Sequence, residues 1–228
     1  MERHLQKELE SLKKYILSLG AMVEERVRKV IKAFENRDAE TAEKIVSSDW
    51  EVDEFEVSVE EECLKILALH QPVAVDLRFI CAVIKINNDL ERIGDEAVNI
   101  AERVAYISRK PPVTMPLGYN LMAEKTETML KQSLDSLVNL DADLANKVRL
   151  ADDEVDDIHV ENYDKVKAAI KAQPERVGYL INLLQISRCL ERIADHATNI
   201  AEEVIYMVEG VIHRHKKNGY QPDSSEEN

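Results

Sequence analysis

Residues 90–107, LERIGDEAVNIAERVAYI, and residues 190–207, LERIADHATNIAEEVIYM, are two copies of one segment. Twelve of their eighteen positions are identical at an offset of 100 residues. A second match lies upstream, where residues 38–53, DAETAEKIVSSDWEVD, align with residues 141–156, DADLANKVRLADDEVD, at an offset of 103. Because both matches occur in the same order, the sequence predicts an internal duplication.

Apolar residues recur at spacings of three and four through each half, which is the period of an amphipathic helix. We predict helices at residues 2–35, 39–69 and 74–108, and again at 118–139, 142–171 and 175–214. The connections are short, so neighbouring helices should be antiparallel. The predicted fold is all-α, with two tandem homologous three-helix bundles. The predicted bounds are 1–110 and 118–216, with a Pro-rich linker at 111–117 and a polar tail at 217–228.

The amino-acid composition supports this fold and excludes some classes of partner. Six glycines and six prolines in 228 residues are too few for a turn-rich β-sandwich or barrel. The net charge of −14 is a poor match for nucleic acid or anionic lipid, so we expect neither as a partner. The sequence shows no signal peptide or membrane-spanning stretch, and its three cysteines form no CxxC pair. We therefore expect a cytoplasmic protein with reduced cysteines and no membrane insertion.

Oxygen-bearing side chains follow one stripe of the third helix in each half, beside the apolar stripe. The second helix carries two further acids four residues apart, and antiparallel packing would let the two stripes face each other. The candidate metal ligands are Asp49, Asp53, Glu91, Asp95 and Asn99, with their copies Asp152, Asp156, Glu191, Asp195 and Asn199.

This donor set suits hard cations, because calcium, magnesium, manganese and iron accept carboxylate and amide oxygens. No histidine or cysteine recurs at matched positions, which disfavours zinc. Bridging carboxylates could hold more than one ion in each half. Acids are common in this chain, however, and a solvated acidic face would show similar spacing. Retention of the stripe in both halves favours metal, but spacing alone leaves both interpretations open.

The repeated LERI-x-D-x-A-x-N-I-A-E block resembles the signature of the PhoU family, in which an E/D-x-x-x-D motif occurs in each of two three-helix bundles. Here the motif runs from Glu91 to Asp95 and from Glu191 to Asp195. The segment at residues 71–78, QPVAVDLR, is also similar to the family pattern. It has no clear partner in the second half, so Asp76 and Arg78 could belong to a docking loop; alternatively, Pro72 ends one helix and Asp76 supports the start of the next.

The resemblance implies a regulator and not an enzyme. PhoU-like proteins negatively regulate the phosphate-starvation response, and they are thought to link the ATPase of a phosphate ABC transporter to a phosphate-sensing histidine kinase. They bind multinuclear metal clusters through the E/D-x-x-x-D stripes, so iron is the metal expected from the family, with manganese, magnesium or calcium as alternatives. We also expect a homodimer, although no sequence feature fixes the oligomeric state.

Two other classes of protein stay open. A di-metal carboxylate enzyme in a helical bundle usually has Glu-x-x-His pairs that point into the core, and neither repeated block contains one. A helical scaffold without functional metal would account for the helices and the duplication. It would give no reason for the matched acids and asparagines.

Overall fold

The computed structural model describes residues 2–113 and 115–211. Seven α-helices span these residues, and they contain no β-strand. The helices are α1 (Glu2–Asn36), α2 (Ala39–Ser47), α3 (Trp50–His70), α4 (Ala74–Ser108), α5 (Tyr119–Asn139), α6 (Ala142–Ala172) and α7 (Val177–Glu209). The all-α prediction is confirmed. No helix in the described part of the chain is long and apolar enough to cross a membrane.

Each half of the chain forms one bundle. Helix α1 packs against α2, α3 and α4, and α5 packs in the same way against α6 and α7. The apolar stripe of the third helix of each half lies in the core, as its spacing predicted, and every member is at most 1% exposed. These residues are Leu90, Ile93, Ala97, Ile100 and Val104 on α4, and Leu190, Ile193, Ala197, Ile200 and Val204 on α7. The prediction of tandem three-helix bundles is confirmed.

The two bundles pack against each other along α4 and α7, which run antiparallel. Lys85 Nζ lies 3.1 Å from the Glu203 carboxylate, and farther along α4 Asp89 Oδ1 lies 2.8 Å from His196 Nδ1. Farther still, Glu96 pairs with Arg192. Residue numbers thus rise along α4 as they fall along α7. The buried apolar residues of both halves form one continuous core.

The second helix of the first half, predicted at 39–69, is interrupted and forms α2 and α3. The Arg26 guanidinium donates to the Ser48 carbonyl at 2.6 Å, and the Val52 amide bonds the Asp49 carbonyl instead of Ser48. A hydrogen bond between residues four apart is thus replaced by one between residues three apart, and the α-helix is interrupted. The matched stretch of α6, residues 150–153, is unbroken.

The last helix is shorter than predicted. A 3₁₀ turn at Pro174–Arg176 precedes α7, which begins at Val177 and ends at Glu209, so the predicted end at residue 214 is wrong. Gly210 ends the helix with φ +73°, and its amide donates to the Tyr206 carbonyl at 2.9 Å. A glycine adopts this left-handed conformation without strain. The predicted tail at 217–228 and the end of the second predicted bundle at 216 lie outside the described residues.

Arg37 anchors the segment that joins the two halves. Its side chain donates to the Ile107 and Lys110 carbonyls at 2.7 and 2.5 Å and to the Tyr179 hydroxyl at 2.7 Å. The contacts tie the turn after α1 to the end of α4 and to α7. Two of them supply donors to carbonyl groups at and just beyond the end of α4. The predicted bounds of the two domains stay a prediction.

Candidate functional site

Three carboxylates meet where α3 and α4 face each other in the first half. One oxygen each from Asp49, Asp53 and Asp95 lie within 4.8 Å of one another. Asp49 precedes α3 directly and is half-buried, whereas Asp53 and Asp95 are exposed. Asp49 and Asp53 are four residues apart, so they lie on one face of the chain as it enters α3, opposite α4. We call this group the first acidic cluster.

A second group of three carboxylates meets between α6 and α7. Oxygens of Asp156, Glu191 and Asp195 lie within 4.8 Å of one another. Asp156 and Asp195 are exposed, and Glu191 is half-buried. We call this group the second acidic cluster. The two clusters share the matched pairs Asp53 with Asp156 and Asp95 with Asp195, but each has a third member of its own.

Two predicted carboxylate ligands lie beside the clusters without joining these groups. Glu91 on α4 is half-buried, and both the Asp95 and Asp53 charges act on its carboxyl group. Asp152 on α6 is also half-buried, and its Oδ1 is buried without a hydrogen-bond partner. Charges of cluster members act on both side chains, so both are candidates for an enlarged site.

The two predicted asparagine ligands make contacts away from the clusters. Asn99 Nδ2 donates to Glu96 Oε2 at 3.5 Å, and Asn199 Nδ2 donates to Asp89 Oδ1 at 3.1 Å. Glu96 and Asp89 belong to the seam between α4 and α7, where they pair with Arg192 and His196. The described contacts therefore connect the asparagines to the packing of the two halves.

Four acidic residues of the second half have carboxyl pKa values raised above their ordinary range. Burial, together with the nearby Asp195 and Asp156 charges, raises the pKa of Asp152 to about 7. Burial and the charges of Glu191 and Asp156 raise the pKa of Asp195 to about 6. Burial also raises the pKa of Glu191 and Asp156. A bound cation would relieve both the desolvation and the repulsion, because it provides the opposite charge that these carboxylates lack.

The first half shows the same direction, moderated by one arginine. Burial and the Asp53 charge raise the pKa of Asp49, but the Arg26 guanidinium opposes this. Arg26 Nη1 lies 3.1 Å from Asp49 Oδ1, and the arginine side chain is only 6% exposed. Burial and the charges of Asp49 and Asp53 also raise the pKa of Asp95.

Three residues near the clusters were missed by the sequence analysis: Arg26, Glu56 and His159. Arg26 lies on α1, and the apolar pattern of that helix gives no sign that this arginine is buried. Glu56 and His159 follow Asp53 and Asp156 by three residues and occupy matched positions at the offset of 103. The i, i+3 spacing could have placed them beside the stripes.

The geometry fits a hard cation bound by carboxylates. Ligand oxygens at 2.0–2.6 Å from an ion are separated by at most about 5 Å, which matches the span of each cluster. Asp49, Asp53 and Asp95 would hold an ion in the first half, and Asp156, Glu191 and Asp195 would hold one in the second. Glu91 and Asp152 could add oxygens or bridge to another ion.

Comparisons with known proteins agree with this architecture. The PhoU domain model matches residues 16–104 and 119–204, once in each half. A relative from Aquifex aeolicus, named a phosphate-specific transport system accessory protein PhoU homolog, is 37% identical over 92% of this chain and 95% of its own. A relative of the same name from Synechocystis is 38% identical over 91% of this chain and 92% of its own.

Two solved structures share the fold along nearly their whole length. The crystal structure of PhoU from Pseudomonas aeruginosa has a TM-score of 0.86 and 34% identity, and the match covers 90% of this chain and 99% of that one. A phosphate transport system regulatory protein PhoU from Streptococcus pneumoniae has a TM-score of 0.82 and 28% identity, with 91% and 98% covered. This chain belongs to the PhoU domain family.

Proposed function

We propose that this protein is a metal-binding cytoplasmic regulator of phosphate uptake, and not an enzyme. The observation that carries the metal-binding part is the pair of acidic clusters, each with three carboxylate oxygens within 4.8 Å, at related places in the two halves. Family membership and the names of the relatives support the phosphate-transport part, since these relatives are accessory proteins of a phosphate-specific transport system.

The proposed partners are the ATPase subunit of a phosphate ABC transporter and a phosphate-sensing histidine kinase. The protein would link the two and negatively regulate the phosphate-starvation response. Such coupling requires that the protein bind one state of a partner more tightly than another. Metal at the clusters would neutralise part of the acidic surface and thereby alter which charged surfaces the helices can contact. We also propose a homodimer, which light scattering of the full chain would test.

The alternatives make different demands on the acidic clusters. A scaffold without functional metal explains the bundles but gives no reason for two clusters in which the pKa values of Asp95 and Asp195 are raised. A di-metal enzyme is disfavoured because most cluster members are exposed on helix faces and not enclosed in a bundle core. Iron is the metal that the family resemblance favours, while the donor set also suits manganese, magnesium or calcium.

Elemental analysis and thermal unfolding of protein purified without added metal test the metal-binding proposal. A cation at a hundred times its Kd stabilises the native state by about 2.7 kcal/mol, so loaded protein should unfold at a higher temperature than chelated protein. Asp95→Asn and Asp195→Asn should each reduce this difference. Asp164→Asn, an exposed acid on α6 outside both clusters, is the control. Equal unfolding temperatures with and without cations, and no stoichiometric ion, would leave the scaffold as the better account.

A pull-down with the transporter ATPase and the kinase, at high and low phosphate, tests the proposed partners. We expect binding that changes with phosphate for at least one of them. The Gln71–Arg78 segment stays a candidate contact: Val73 and Val75 are 74% and 62% exposed, while Asp76 lies in the first turn of α4. Asp76→Asn combined with Arg78→Gln should weaken binding if this segment docks. Absence of binding by the unaltered protein at both phosphate levels would contradict the partner assignment.

A further inference from the structure

Helices α1 and α5 correspond residue by residue, because both end in the same turn. Arg37 and Leu140 have φ of 54° and 52°, and each is followed by an N-cap aspartate. The Asp38 carboxylate accepts a hydrogen bond from the Thr41 amide, and the Asp141 carboxylate accepts one from the Leu144 amide. The offset between the two caps is 103 residues, the same offset that relates α3 to α6. Burial follows this alignment; Val27 and Leu130, for example, are both 0% exposed.

At this alignment, the buried Arg26 of α1 corresponds to Met129 of α5. The two side chains are 6% and 1% exposed, so both point inward at the same place in their bundles. Arg26 Nη1 bonds Asp49 Oδ1 at 3.1 Å, and Nη2 bonds the Ser48 carbonyl at 2.6 Å. Methionine can make neither bond, because it has no N–H donor.

The Arg26 guanidinium lies beside Gly94 of α4, next to the first acidic cluster. A Cβ atom at residue 94 would lie 3.8 Å from Arg26 Nη1 and only 3.2 Å from Val52 Cγ1. The next residue along α4 is Asp95, a member of the cluster. The guanidinium thus contacts one cluster member and lies beside the backbone that carries another.

Within the described residues, no buried guanidinium bonds a member of the second acidic cluster, although the Arg188 and Arg192 charges act on Glu191. Arg192 on α7 pairs with Glu96 across the seam, and Arg149 on α6 lies 3.5 Å from Glu202. Arg188 is exposed, and no described ion pair joins it to the cluster. Asp156, Glu191 and Asp195 have no ion-pair partner in the described parts of the chain, in contrast to Asp49.

The helix break is a second sign that Arg26 reshapes the first cluster. The chain leaves helical geometry at Ser48, with φ −103° and ψ 16°, and Arg26 bonds both Ser48 and the Asp49 that follows it. The matched helix α6 continues without a break beneath Met129. Asp49 belongs to the first cluster, whereas its counterpart Asp152 is replaced in the second cluster by Glu191.

We infer that Arg26 is a built-in counter-cation that weakens divalent-cation binding at the first acidic cluster, so that the second cluster fills first. This inference rests on the proposed metal-binding function. An ion entering the first cluster must compete with the guanidinium for Asp49 and is repelled by its fixed positive charge. In a partly buried site the effective dielectric constant is low, so the Arg26 charge beside the cluster should change the affinity for a divalent cation by roughly 10- to 100-fold. Arg26 is a positioning and specificity residue, since its guanidinium bonds the ligand and not the ion.

The test is a Mn²⁺ titration of the full chain after treatment with a chelator. Calorimetry gives the number and affinity of all sites. Trp50, the only tryptophan, directly follows Asp49, so its fluorescence reports the first cluster. We expect two classes of site, with the fluorescence change following the weaker class. Arg26→Met should tighten that class about tenfold or more, whereas Arg26→Lys, which keeps the charge, should leave it weak.

Two further variants complete the design. Arg28→Met makes the same change in net charge at an exposed position of α1 whose ion pair is with Glu25, and it should leave both classes unchanged. Met129→Arg should weaken the tighter class; if this variant does not fold, as judged by circular dichroism, the Arg26 variants decide the question. Equal affinities at both clusters, or no greater effect from Arg26→Met than from Arg28→Met, would overturn the inference while metal binding stands. Absence of Mn²⁺, Fe²⁺, Mg²⁺ and Ca²⁺ binding would instead overturn the proposed function.

Discussion

Asp152→Asn should stabilise the metal-free protein at alkaline pH. The Asp152 carboxyl group is half-buried on α6, and one of its oxygens is buried without a hydrogen-bond partner. Burial and the charges of Asp195 and Asp156 raise its pKa to about 7 from an ordinary value of 3.8. Asparagine has nearly the same shape and carries no charge. The substitution therefore removes the cost of an ionised group and leaves the packing almost unchanged.

The size and sign of this effect follow from the pKa difference. A carboxyl group whose pKa rises on folding holds its proton more tightly in the native state. This tighter proton binding adds to the free energy of unfolding. The addition is complete below about pH 3.8 and is lost as the pH rises through about 7. A difference of about three pH units corresponds to about 4 kcal/mol at most. Because the group keeps some solvent contact and interacts with two neighbouring carboxyls, we expect a gain of about 2 kcal/mol for Asp152→Asn at pH 8.

Urea unfolding at pH 8, 6.5 and 5, with a chelator present, measures this gain. The difference in free energy of unfolding between variant and wild type should be largest at pH 8 and shrink toward zero near pH 4. Asp49→Asn is the matched control. Its gain should be smaller, because the Arg26 guanidinium 3.1 Å from Asp49 already offsets part of the burial. An Asp152→Asn variant that is no more stable than wild type at pH 8, or whose gain does not vary with pH, would refute the reasoning.

Four further substitutions test contacts that define the fold, each by urea unfolding against wild type. Arg37→Ala removes four hydrogen bonds at the joint between the halves, including the one to Tyr179, and should cost about 2–3 kcal/mol; a loss below about 0.5 kcal/mol would mean that water replaces them. Asp38→Ala and Asp141→Ala each remove an N-cap and should cost about 1 kcal/mol, with the larger loss for Asp38, which also accepts from the Thr41 hydroxyl at 2.6 Å. Gly210→Ala places an alanine at a backbone φ of +73° and should lower the free energy of unfolding by about 1 kcal/mol. A gain in stability would contradict the left-handed cap.

The third helix of each half could be predicted well because one periodic signal determines it. Leu90, Ile93 and Ala97 recur at helical spacing, and all three are buried. The interruption after Ser47 could not be predicted in the same way. It depends on Arg26, more than twenty residues earlier and on another helix, and local pattern carries no sign of such a contact. In the second half, where Met129 occupies the position that corresponds to Arg26, the helix predicted at 142–171 is continuous.

The candidate site was predictable only in part, for a similar reason. Helical spacing places Asp53 and Asp95 on stripes that can face each other, and the structure brings their carboxylates together. The same spacing places Asn99 on the Asp95 stripe, yet its amide bonds Glu96. Glu96 in turn pairs with Arg192 of α7 across the seam. Each half taken alone gives no information about how the two halves meet.

The seam between α4 and α7 shows why the two halves had to diverge in sequence. Position 196 corresponds to position 96, so an exact copy of the first half would place a glutamate at 196. That glutamate would face Asp89, and two carboxylates in a buried seam repel each other. The chain has His196 instead, whose Nδ1 lies 2.8 Å from Asp89 Oδ1. Conversely, Glu96 meets Arg192 across the same seam. The Glu96 contact needs no divergence, because residues 92 and 192 are both arginine, whereas the Asp89 contact requires unlike residues at the matched positions 96 and 196. Arg26 and Met129 extend this divergence from the seam to the neighbourhood of the acidic clusters.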